Sequence, residues 1–142
     1  GAGGSVASAA LNFCIFCGAK EIYTSGLDLA FPAKQTHIKG STFEENVHRT
    51  SLKNSTAETK SLPLLFNGNA VQAEDYNGNP VLTDKKMKMF AWWFESRLAE
   101  LPEIKAFTLS PKGLKIPGIT PCPMEKILNL KIKNLSKLCL VE

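Results

Sequence analysis

Arginine is nearly missing from this chain: of its 17 cationic side chains only Arg49 and Arg97 are arginines, and the rest are lysines. Arginine forks onto guanine edges and carboxylates, whereas lysine is a compact hydrated point charge, so the scarcity argues against sequence-specific base reading. Cysteine is also scarce. Cys14, Cys17, Cys122 and Cys139 are too few and too scattered for the disulfide frameworks of short secreted proteins. No apolar run reaches the about 18 residues of a membrane-spanning helix. The opening GAGGSVASAALNF has no basic segment followed by an apolar one, so an intact secretory signal is not expected. Catalytic signatures are wanting too: the sequence contains no nucleophile elbow, phosphate loop or HExxH motif. A Cys nucleophile with His37 or His48 as base and Glu44 or Glu45 as orienter is the one hydrolytic alternative. The expectation is a non-catalytic protein.

What is present fits one small domain. A chain of 142 residues with 44% hydrophobic and 21% charged content lies near globular averages. Residues 1–10 are small and featureless and read as a flexible segment, leaving 11–142 as a single α+β domain. Residues 11–17 read as a β-friendly strand. FNGNAV at 66–71 and YNGNPV at 76–81 repeat one turn chemistry, because Asn-Gly supplies the positive φ angles of a tight hairpin. A second hairpin is expected over 104–116, around Ser110-Pro111-Lys112-Gly113. The strongest periodicity predicts a central amphipathic helix at about 84–101. Thr83 or Asp84 caps it, Met87, Phe90, Ala91, Phe94, Leu98 and Leu101 lie on one face, and Pro102 follows. Antiparallel hairpins are expected to pack on this helix, and the stretch after Pro123 fits a C-terminal helix.

Two constellations carry chemistry. Cys14 and Cys17 have knuckle spacing, with Gly18 where such turns need positive φ, and with His37 and His48 they form C-x2-C-x19-H-x10-H. A structural zinc on Cys14, Cys17, His37 and His48 is therefore expected, with buried free thiols, or a disulfide or redox pair, as the alternatives. The second constellation is electrostatic. The net charge is +4, and residues 104–142 carry seven lysines against Glu125 and Glu142. Lys112, Lys115, Lys126, Lys131, Lys133 and Lys137 are the candidate phosphate contacts of a nucleic-acid-binding module with little sequence preference. One alternative is a structural or protein-interaction component, secreted or viral, with buried or paired cysteines. The other is a lipid-anchored membrane-surface protein, since GAGGS satisfies the N-myristoylation pattern if Met precedes it. Composition slightly favours an intracellular location.

Overall fold

A computed structural model of the chain describes residues 4–34, 40–66 and 70–130. The elements run α1 (Val6–Phe16), β1 (Glu21–Thr24), α2 (Thr42–Arg49), α3 (Ala57–Phe66), β2 (Val71–Glu74), β3 (Pro80–Thr83), α4 (Lys85–Ala99), β4 (Lys105–Thr108), β5 (Ile119–Pro121) and α5 (Met124–Leu128). This is a small α+β domain with strands paired in both senses.

Residues 6–16 form a helix where a strand was expected, and the helix begins inside the segment read as featureless. Ser5 caps it reciprocally with Ser8, and Ala7, Ala9 and Ala10 supply the strongest helix former in its first half. That local preference outweighs the β-friendly Phe-Cys-Ile-Phe that follows. The residues ahead of the first Asn-Gly site form α3 and not a hairpin strand. Of the two Asn-Gly sites, the second turns the antiparallel β2–β3 hairpin, with Glu74 opposite Pro80. The first, at 67–69, lies outside the described residues.

The larger correction concerns residues 104–116. Strand β4 forms, but Leu114 and Ile116 do not fold back on it. Instead β4 is the central strand of a parallel sheet ordered β1-β4-β5, with Ile22 beside Ala106 and Ala106 beside Ile119. Parallel pairing requires a long crossover, and the connection that ends in α4 supplies it. Leu114 and Ile116 are buried all the same, in the loop that crosses toward β5.

The core lies on one face of the parallel sheet. Ala91, Phe94 and Leu98 of α4, together with Leu11 of α1, pack over Ile22, Ala106 and Ile119. The two helices run side by side in the same direction. Gly4 lies against Phe90 near their N-termini, and the Arg97 Nε donates to the Asn12 side chain at 3.2 Å near their C-termini. On the other face Tyr23 and Phe107 stack with centroids 4.9 Å apart, and Lys126 of α5 lies 3.8 Å from the Phe107 ring centroid. Among the described residues no helix is long and apolar enough to cross a membrane.

Candidate functional site

Cys14 is half-buried within α1 and Cys17 is its exposed C-cap. A zinc knuckle aims its backbone N–H groups at the sulfurs. Here those groups serve the helix end: Cys17 N–H donates to Phe13 O, Gly18 N–H to Ile15 O and Ala19 N–H to Cys14 O, all within 2.9–3.0 Å. Gly18 does adopt positive φ, but as the residue that closes a helix. His48 occupies the last turn of α2. It helps to hold the Glu58 carboxyl below its ordinary value, after the stronger effects of hydrogen bonds from the Glu58 backbone and the Thr56 hydroxyl. His37 lies outside the described residues. Among the described residues no three His, Cys, Asp or Glu side chains gather as a metal site, and Cys14, Cys17 and Cys122 are free thiols.

The expected lysines divide in a similar way. Lys112 and Lys115 are exposed in the loop after β4, and Lys126 leans on the Phe107 and Tyr23 rings of the outer sheet face. Lys131, Lys133 and Lys137 lie outside the described residues. Beside Lys126, the Tyr23 hydroxyl is pushed up from its ordinary value by desolvation and by its 3.0 Å hydrogen bond to Glu21.

A different place gathers more polar chemistry, namely the end of the parallel sheet where the strands finish. Open α/β sheets hold ligands outside the carboxyl ends of their strands. At that end β1 runs into residues 25–34 and β4 into Leu109 and Ser110. The Gly26 N–H donates to the Ser110 hydroxyl at 3.0 Å, so the two loops are tied together. The N-termini of α1 and α4 reach the same end. The first half of α1, with Ala7, lies beside Ser25, Gly26 and Leu27. Thr83, just ahead of α4, donates its hydroxyl to Leu29 O at 2.8 Å.

Two features mark this edge. Leu29, Ala33 and Lys34 hold φ between 44° and 60°, a region that non-glycine residues avoid. The start of α4 carries the exposed Lys85, Lys86 and Lys88 behind its acidic N-cap Asp84, whose carboxyl accepts from Met87 N–H at 2.7 Å. Three cations against the single Asp84 carboxylate leave this helix end with an excess of positive charge, which opposes its dipole and favours a further anion nearby. Residue spacing alone does not reveal this site, because it depends on which strands are parallel. The lysine-rich Asp-Lys-Lys-Met-Lys at a helix start is the one local signal for it.

Comparison with known proteins is sparse. No family model matches the chain, and no solved structure matches it. It is similar to an uncharacterized protein of Treponema pallidum (strain Nichols), 36% identical over 145 aligned positions that cover 90% of this chain. The chain spans 37% of the length of that relative.

Proposed function

We propose that this domain binds a phosphate-bearing small molecule at the carboxyl edge of its parallel sheet. The convergence of the α1 and α4 N-termini on the loop after β1 carries the reading. Lysine ammonium groups, with the helix-start N–H groups that the caps Ser5 and Asp84 do not take, are the donors that suit a phosphate. Lys85, Lys86 and Lys88 supply the charge, and the Ser25–Gly26 turn, tied to Ser110, supplies a rigid floor.

Nucleic acid bound through its phosphates is the second reading. The aromatic pair Tyr23 and Phe107 on the outer sheet face, flanked by Lys126, favours it, since aromatic platforms with adjacent cations stack unpaired bases. The two readings place the ligand on different surfaces, so one experiment separates them.

Thermal unfolding is followed with inorganic phosphate or pyrophosphate at matched ionic strength, and a fluorescent single strand is titrated at low salt. The first reading expects stabilisation by phosphate or pyrophosphate that disappears in K85Q/K86Q/K88Q and persists in K126Q. Oligonucleotide binding that persists in the triple variant and falls in K126Q replaces it with the second. No response to either phosphate compound at millimolar concentration, together with no oligonucleotide binding, removes both.

A further inference from the structure

Among the described residues strand β1 is bonded on one side, to β4. Lys105 N–H donates to Lys20 O at 2.8 Å and Leu109 N–H to Thr24 O at 2.9 Å, which sets the alternation of the parallel ladder. Glu21 and Tyr23 therefore turn their backbone N–H and C=O groups away from β4, toward an open edge. Parallel strands are normally interior elements, and an open edge is a template for another strand.

A cleft of about 300 Å3 runs along this edge beneath α1, lined by Leu11, Cys14, Ile22, Thr24, Leu27 and Phe94 among others. The helix above it is peculiar. The sequence of α1, Val-Ala-Ser-Ala-Ala-Leu-Asn-Phe-Cys-Ile-Phe, contains no charge on any face, yet Val6, Phe13 and Phe16 are exposed, Phe16 at 87%. A helix apolar all round belongs in an interior.

Chirality says where the covering layer attaches. Crossovers between parallel strands are right-handed in nearly all cases. α4 lies over the core face and leads into β4, one step from β1. α1 lies over the same face and leads into β1, so a parallel strand that feeds α1 belongs on the side of β1 away from β4. That side is the open edge.

We infer that the β1 edge, with the cleft beneath α1, receives a parallel β-strand that lies before α1 in the same polypeptide, and that the layer behind this strand covers the outer face of α1. The Treponema relative is the longer protein: 63% of it lies outside the matched region, which is room for further strands. A second copy fits less well, because a two-fold axis at this edge would pair β1 with its mate antiparallel, unlike the rest of the sheet.

The test compares the protein expressed from its complete natural reading frame with the 142-residue chain. The expected natural polypeptide is well above 15.5 kDa. In it, the Tyr23 amide exchanges with solvent at least about 100-fold more slowly than in the 142-residue chain. Peptide-resolved alkylation of Cys17, at the end of α1, is expected to slow about tenfold. A reading frame that adds nothing ahead of α1 overturns the inference, as does equal exchange at Tyr23 in both proteins. Protection that vanishes on dilution assigns the edge to a second copy and overturns it as well.

Discussion

Gly113 packs directly on the main chain of Asp28: a Cβ at position 113 would lie 2.7 Å from both the Asp28 Cα and its carbonyl oxygen. The next residue completes the clamp, since Leu114 N–H donates to Asp28 O at 2.7 Å. The loop that follows β1 is thus fixed by a backbone-to-backbone approach that only glycine permits. Gly113→Ala forces one of the two loops to move and is expected to cost about 1–3 kcal/mol, the range for overpacking a tight site. Urea unfolding of the two proteins measures it, and a change below about 0.5 kcal/mol would show that the loops yield freely.

Thr83 holds the same loop from the other side. It is fully buried, and its hydroxyl donates to the carbonyl of Leu29, a residue at φ 44°. Thr83→Val keeps the shape and leaves that carbonyl without its donor, at an expected cost of about 1–3 kcal/mol. Thr83→Ser keeps the donor and is expected to retain most of the stability. Equal losses in the two variants would mean that the methyl group, and not the hydroxyl, matters there.

The elements readable from the sequence are those whose signals are local. Asp84 accepts from Met87 N–H at 2.7 Å, and the helix it caps spans Lys85–Ala99, close to the expected 84–101. The Asn77-Gly78 turn is equally local, and Gly78 adopts φ 80°. The parallel sheet was not legible, because Ile22 finds its partner Ala106 at a distance in sequence that no periodicity records. Helix α1 was misread for a related reason. An apolar stretch without charge carries no periodicity to separate a buried helix from a buried strand, and its cues were the Ser5–Ser8 cap and the run of Ala7, Ala9 and Ala10. The zinc expectation rested on spacing; the structure adds that the Gly18 and Ala19 N–H groups close helix α1, while His37 lies outside the described residues. The lysines of the carboxyl edge escaped notice because their meaning depends on where α4 begins relative to β1.

Acid is expected to loosen the β2–β3 turn first. Desolvation pushes the Asp75 carboxyl up, but the Asn79 and Asn77 N–H groups, each donating at 2.8 Å, outweigh it and hold the carboxyl below its ordinary value. A carboxyl lowered in the folded state contributes stability that is present above the ordinary value of 3.8 and is lost as pH falls through the folded value. Melting temperatures should therefore drop below about pH 4. Asp75→Asn removes this titration, so its curve is expected to start lower at neutral pH and to converge on the parent in acid. Parallel curves across the whole range would assign the acid loss to other carboxylates.

The two faces of α4 give the last prediction. Phe94 is 2% exposed, lies over the parallel sheet and meets Trp93 edge-to-face with centroids 5.2 Å apart. Trp92, the neighbour of Trp93, is 65% exposed beside a groove shared with α1. Deleting a buried phenylalanine costs about 3–5 kcal/mol, through lost transfer energy and the cavity left behind. Phe94→Ala is expected to fall in that range. Trp92→Ala in the 142-residue chain has little burial to lose and is expected to cost under about 1 kcal/mol. Calorimetric or urea unfolding distinguishes them. A Trp92→Ala loss equal to that of Phe94→Ala would mean that the outer face of α4 is already covered in solution, by a second copy of the chain.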